Sequence, residues 1–153
     1  MRKQPEIVLT SPATEMSDHH RREFLGFGTC SPTPPFPRWL VRLLFYPTIE
    51  NSKGVAHFAP YGLRKVEASL LQDGFAEDQV VVVHPDFLDD FVGTSTKVVG
   101  ISVMDPLGLG PVSLTFSSIL SGQPATAFEF QKMMRRKCFR KHRPKIILGG
   151  PGA

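Results

Sequence analysis

The sequence predicts an α/β domain built on a parallel sheet. Three observations carry this. Four short apolar runs rich in β-branched residues recur along the chain. Helix-compatible stretches separate the last three of them. Gly, Pro, Ser or Asp follows each run where the chain must turn.

The first run, Glu6-Ile7-Val8-Leu9-Thr10-Ser11-Pro12, reads as a buried parallel strand closed by turn residues. Residues 13 to about 60 then hold no sustained period. Gly26, Gly28, Pro32, Pro34, Pro35, Pro37, Pro47, Gly54 and Pro60 break it too often for long elements. One short helix is expected over 37–46. The stretch is rich in aromatics, with Phe24, Phe27, Phe36, Trp39, Phe45 and Phe58, which indicates packing rather than a linker. From Tyr61 the pattern is regular. Leu63, Val66, Leu70 and Leu71 share one face of a helix over 61–74, with Gly74 as its stop. Residues 79–85, around Val80-Val81-Val82-Val83, form the second strand. A short helix is expected over 85–92 and a third strand over 97–104. The Gly-, Ser- and Pro-rich stretch 105–124 holds a helical piece around 112–120. A helix with a basic end follows over 126–141. Residues 145–148 form the fourth strand, stopped by Gly149-Gly150-Pro151-Gly152-Ala153.

This alternation requires right-handed crossovers. A doubly wound sheet normally continues with a further helix and strand. The last strand is therefore expected to be missing from the chain. Strand four then becomes an exposed edge, open to homodimer pairing.

The 153 residues fit one domain, 1–153. A composition of 41% hydrophobic and 21% charged residues excludes wholesale disorder. The net charge of +4 permits an anionic ligand but does not point to nucleic acid. The basic run from Lys132 to Lys145 reads as a solvated helix end, where the dipole favours cations. Apart from Phe139 it lacks interleaved aromatics, so no stacking platform is indicated. No apolar run approaches the roughly 20 residues of a membrane span. No secretory h-region is present. Cys30 and Cys138 make no disulfide framework, so reduced thiols and a cytoplasmic location are expected.

In open parallel sheets, ligands bind beyond the C-terminal ends of the strands. Those ends are Thr10-Ser11-Pro12, His84-Pro85, Ser102-Val103-Met104-Asp105 and Gly149-Gly150-Pro151. Dinucleotide and nucleoside-triphosphate fingerprints are absent. His84 with Asp86 or Asp90 is the one acid–base candidate near a strand end, and no nucleophile–base–orienter set accompanies it.

Ser102-Val103-Met104 after strand three and Gly149-Gly150 after strand four resemble the cobalamin-binding domain family. That family pairs Ser-x-Leu after one strand with Gly-Gly after the next, and Met104 stands at the Leu position. The stretch PYGLRKVEASLLQDGF is similar to the helix after the first ligand-facing loop in cobalamin-binding domains of radical-SAM enzymes. IILGGPGA is similar to the segment before their catalytic domain. The resemblance spans most of residues 6–153. It implies a Rossmann-like (flavodoxin-like) fold that binds a corrinoid. It places Ser11, Pro12, Tyr61 and Gly62 in the first loop and its helix, near the ligand. It adds Ser102 as a hydrogen-bonding group and Val103 beside it. Met104 and Leu107 are then apolar surface for the corrin face, Asp105 an acceptor for corrin amides, and Gly149, Gly150 and Pro151 a slot for the nucleotide tail.

The wider family's Asp-x-His-x-x-Gly loop, whose His ligates cobalt from below, is absent. His19-His20 lies in that loop without the spacing, so cobalt is expected to have no protein ligand below. Cys30 and Cys138 cannot supply the three-cysteine motif of a radical-SAM [4Fe–4S] cluster. The cluster, S-adenosylmethionine and the catalytic radical-SAM domain are expected beyond residue 153, in a parent enzyme that is plausibly a methyltransferase. This chain alone would hold the corrinoid and do no radical chemistry. The alternative is a cofactor-free, flavodoxin-like regulatory or interaction module that docks through residues 13–60.

Overall fold

The structure is a computed structural model, and it describes residues 4–33, 36–49 and 51–153. Its centre is a four-stranded, fully parallel sheet of β1 (Ile7–Thr10), β4 (Val80–Val82), β5 (Val98–Ser102) and β6 (Lys145–Gly149). The spatial order is β4-β1-β5-β6. A separate two-stranded hairpin joins β2 (Asn51–Ser52) to β3 (Val55–Ala56).

Side-chain alternation along each strand divides the core between two faces. Val8, Val83, Val99, Ile101 and Val103 meet Leu88, Phe91, Met133, Cys138 and Phe139 on one face. Those partners come from α3 (Leu88–Phe91), α5 (Ala125–Met134) and α6 (Lys137–His142). Leu9, Val80 and Val82 meet Met16 and Leu63 on the other face. Leu63 belongs to α2 (Tyr61–Gln72), whose Leu70 and Leu71 also pack there. Gly100 lies on the strand beside Leu9, and a Cβ there would stand 2.7 Å from the Leu9 methyl. Glycine is thus what lets Leu9 fill that space.

Gly74 ends α2 as expected, at φ 100°, with its N–H on the Leu71 carbonyl and that of Phe75 on Leu70. Residues 13–60 carry more order than their sequence suggests. They hold 3-10 turns at His19–Arg21 and Glu23–Cys30, then α1 (Arg38–Phe45), then the hairpin. A third small cluster anchors α1, where Val41 and Tyr46 pack on Ala13 and Ala125. α4 (Pro111–Leu120) occupies the helical piece expected within 105–124. It buries only Ser113 and leaves Leu114, Ile119 and Leu120 exposed.

The single helix expected over 126–141 is two helices. Arg136 stands between them in extended geometry, at φ −56° and ψ 142°. Its guanidinium reaches Asp86 at 3.1 Å and Asp89 at 3.5 Å. The Asp89 carboxylate also accepts the Cys138 N–H at 2.9 Å, so it caps the first turn of α6. These partners lie 47 to 50 residues upstream, where helical periodicity carries no signal.

β6 is an edge strand, as its place in the order requires. Ile146, Ile147 and Leu148 all remain exposed, so neither of its faces is covered, and Ile147 is 52% open. Among the described residues, no helix is long and apolar enough to cross a membrane.

Candidate functional site

The sheet order reverses between β1 and β5. Chain connections leave those two strands in opposite directions, which opens a crevice at their C-terminal ends. Residues 11–16, 102–105 and 149–152 converge there. The backbone locks them together. The Val103 N–H donates to the Gly149 carbonyl at 2.8 Å, and the Gly152 N–H donates to the Val103 carbonyl at 3.0 Å. Ser102-Val103-Met104 and Gly149-Gly150 are therefore side by side.

Glu15 is the residue that sequence reasoning missed. Its Oε1 accepts the Met104 N–H at 2.8 Å, and its Oε2 lies 2.8 Å from Ser11 Oγ. Ser11 Oγ also lies 2.8 Å from the Ser102 carbonyl. Glu15 thus ties the first loop to the end of β5. Burial pushes its carboxyl from 4.5 up to about 6, against the opposing pull of the Met104 and Ser11 hydrogen bonds. The only sequence signal was a carboxylate one helical turn after Ser11, amid buried Pro12, Ala13, Thr14 and Met16.

The other expected site residues separate into four groups. Ser11, Pro12 and Val103 are buried and satisfied within the chain, so they shape the floor and offer nothing to a ligand. Asp105 faces its own loop. It accepts from Leu109 N–H at 2.8 Å, Gly110 N–H at 3.1 Å and the Ser113 hydroxyl at 2.5 Å. It organises the start of α4, the ordinary role of an Asp before Pro. Met104 and Leu107, with Leu109, are 64%, 68% and 63% exposed, an apolar surface open to a ligand. Tyr61 and Gly62 begin α2, on the β1–β4 half of the sheet. The Tyr61 ring there carries Lys65 Nζ at 4.7 Å.

The two glycines of the Gly-Gly pair differ. A Cβ on Gly149 would meet nothing within 4 Å. A Cβ on Gly150, at φ 100°, would stand 2.6 Å from the Val103 carbonyl oxygen. Gly150 is therefore fixed by its own chain's backbone. A side chain at Gly150 would strike the backbone, whereas Gly149 has open space for one among the described residues.

His84 lies at the end of β4, 1% exposed. Its Nδ1 accepts the Asp86 N–H at 3.3 Å, and its Nε2 has no hydrogen-bond partner among the described residues. Burial pushes the imidazole down to about 4. Asp86 does not orient it, because that carboxylate is held by Arg42 at 2.5 Å and Arg136 at 3.1 Å. Burial would raise the Asp86 carboxyl, but the Arg42 hydrogen bond and charge outweigh it and hold it below 3.8. His84 Nδ1 lies 3.7 Å from Asp86 Oδ2, beyond hydrogen-bond reach, so this acid–base candidate is not set up for proton transfer.

His19, His20 and Arg21 all take left-handed φ values, 49°, 58° and 59°. Such a run costs on the order of 1–2 kcal/mol per residue. Two imidazole contacts offset it. His19 Nδ1 lies 2.7 Å from the Phe45 carbonyl, and His20 Nε2 lies 2.8 Å from that of Leu43. Carbonyls only accept, so each ring nitrogen carries its proton there. The pair closes the last turn of α1. Neither histidine lines the crevice, and among the described residues no group of three or more His, Cys, Asp or Glu is placed to hold a metal.

These features define an α/β domain with a strand-end crevice, apolar on its rim and carrying one buried acid. No protein family, curated protein or solved structure matches this chain.

Proposed function

We propose that this chain binds a corrinoid at the crevice, as the cobalamin-binding domain of a radical-SAM enzyme. One observation carries the reading. The strand order places Ser102-Val103-Met104 and Gly149-Gly150 together at the point where the sheet order reverses. Counting only the parallel strands, β4-β1-β5-β6 is the order 2-1-3-4, which supports a flavodoxin-like reading.

The residues fit a corrin in part. Met104, Leu107 and Leu109 would hold its apolar face, and the half-buried Ser102 would offer its hydroxyl to the polar edge. Gly149 leaves open space for close approach. Gly150 and Gly152 do not add to a slot, because Val103 and Met104 backbone fills the space beside them. A nucleotide tail would have to pass over Gly149. When bound, the corrinoid would supply cobalt-centred methyl or electron transfer. This chain's share would be to bind and orient it. The parent would be a cytoplasmic enzyme, plausibly a methyltransferase, with its [4Fe–4S] cluster and S-adenosylmethionine site in a partner radical-SAM domain of the same chain.

A visible absorption titration with hydroxocobalamin, followed by gel filtration, tests this. Co-elution of the corrinoid supports it. Gly149→Phe should weaken binding at least about tenfold while circular dichroism stays unchanged. Absence of co-elution, or full binding by the folded variant, would overturn the site.

A second reading has its own observation. Phe24, Phe27, Leu114, Ile119 and Leu120 are exposed on the Glu23–Cys30 turn and on α4, which touch. Exposed apolar groups so grouped suit protein docking. That reading is a cofactor-free interaction module, and it predicts no chromophore binding.

A further inference from the structure

Away from the crevice, one face of α5 meets the first turn of α1 in a groove of about 380 Å³. Phe128, Gln131, Lys132 and Arg135 stand at helical positions i, i+3, i+4 and i+7, so a single stripe of α5 forms one wall. Arg38 forms the other, and Gln123 closes the end before α5. Among the described residues, no carboxylate lines the groove.

Two of the three cations are positioned before any ligand arrives. The Arg38 guanidinium lies 3.5 Å from the centroid of the Phe128 ring. Lys132 Nζ is 3.0 Å from Glu129 Oε2. Glu129 is itself buried and receives the Tyr46 hydroxyl at 3.4 Å, so it stands behind the lysine rather than in the groove. Asp86 also feels the Lys132 charge, but it is already held by Arg42 and Arg136 outside the groove, so the three groove cations keep an excess of positive charge. Two carboxamides add neutral donors.

We infer that this groove binds a small phosphorylated ligand, through its phosphate or diphosphate group. Arg38 and Arg135 offer planar forks that match phosphate oxygens, and Lys132 adds a point charge. A space of this size holds more than one phosphate and suits a small-molecule ligand. The groove shares no residue with the crevice at the strand ends, so this site stands whether or not a corrinoid binds there.

The test is calorimetric titration of the whole chain with inorganic pyrophosphate, in about 150 mM salt to screen diffuse attraction. Saturable one-to-one binding is expected. Arg38→Gln and Arg135→Gln should each weaken it about tenfold. Arg140→Gln, an exposed cation on α6 outside the groove, should change it less than about twofold. Circular dichroism verifies folding, and Arg38→Lys should retain part of the affinity through its charge. A parallel titration with adenosine diphosphate separates the sources. Tighter binding than pyrophosphate identifies a nucleotide, and equal binding identifies the phosphates alone; both support the site. No saturable binding to the native chain overturns it. So does equal loss in all three glutamine variants. So does a single-stranded oligonucleotide that binds more tightly than pyrophosphate and depends on Arg140.

Discussion

Replacing Glu15 by Gln should stabilise this protein above neutral pH and leave it unchanged in acid. The reason lies in proton counting. Ser11 has one hydroxyl proton and two acceptors at 2.8 Å, Glu15 Oε2 and the Ser102 carbonyl. With Glu15 ionised, one acceptor goes without. With Glu15 protonated, its O–H donates to Ser11 Oγ, Ser11 donates to Ser102, and Met104 N–H still reaches Oε1. Every group is then satisfied, and burial outweighs the pull of the Met104 and Ser11 hydrogen bonds toward the ionised form, so the proton is held. The folded chain therefore binds this proton more tightly than the unfolded chain. Stability is full below the unfolded value of 4.5, falls as pH rises through about 6, and levels off beyond it. The gap corresponds to about 2 kcal/mol. A glutamine keeps the protonated pattern at every pH, with its N–H on Ser11 and its oxygen on Met104. Glu15→Gln should therefore gain about 2 kcal/mol at pH 8, or about 4–8 °C in Tm, and close to nothing at pH 4. Urea unfolding of both proteins at the two pH values reads this directly. Other carboxylates titrate equally in both, so their contribution cancels in the comparison. A variant less stable than the native chain at pH 8, or one equally stabilised at both pH values, would refute the argument.

The remaining expectations concern the strand ends and the edge. Gly150→Ala should cost about 2 kcal/mol or more, because the residue takes φ 100° and its Cβ would strike the Val103 carbonyl, whereas Gly149→Ala should be within about 1 kcal/mol of native. Thermal melts of the two variants decide this. Asp86→Asn should destabilise by roughly 1–3 kcal/mol, since it leaves Arg42 and Arg136 half-buried without their shared acid, and chemical denaturation would reveal any smaller effect. At high concentration the native chain should self-associate through β6, and Ile147→Lys should shift light scattering toward monomer. A native chain that stays monomeric throughout contradicts that use of the edge.

The inner strands were legible because burial on both faces demands apolar, β-branched runs, as at Val80–Val83 and, around Gly100, Val98–Ile101. The α2 stop was legible because Gly74 adopts the one conformation glycine favours. Three features were not. The break at Arg136 depends on Asp86 and Asp89, which no local window contains. Ser11 turns inward because Glu15 and the Ser102 backbone meet it, and neither is visible from a strand-end serine. Gly149 and Gly150 look alike in sequence, yet one faces open space and the other lies against Val103. In each case the deciding partner is brought by tertiary contact, whereas spacing and composition report only local preference.

The central position of β1 has a consequence for biosynthesis. Of the four described strands of the sheet this one is made first, yet both its neighbours come late. Thr10 must wait for Val83, 73 residues on, before its hydroxyl finds its carbonyl. At translation rates of about 5–20 residues per second, that is roughly 4–15 s of exposure for Ile7-Val8-Leu9. Residues 13–60 emerge during that interval with aromatic side chains that have no sheet to cover them. In a nascent chain of this design, the first strand of the sheet stays without either of its neighbours until Val80–Val82 emerges.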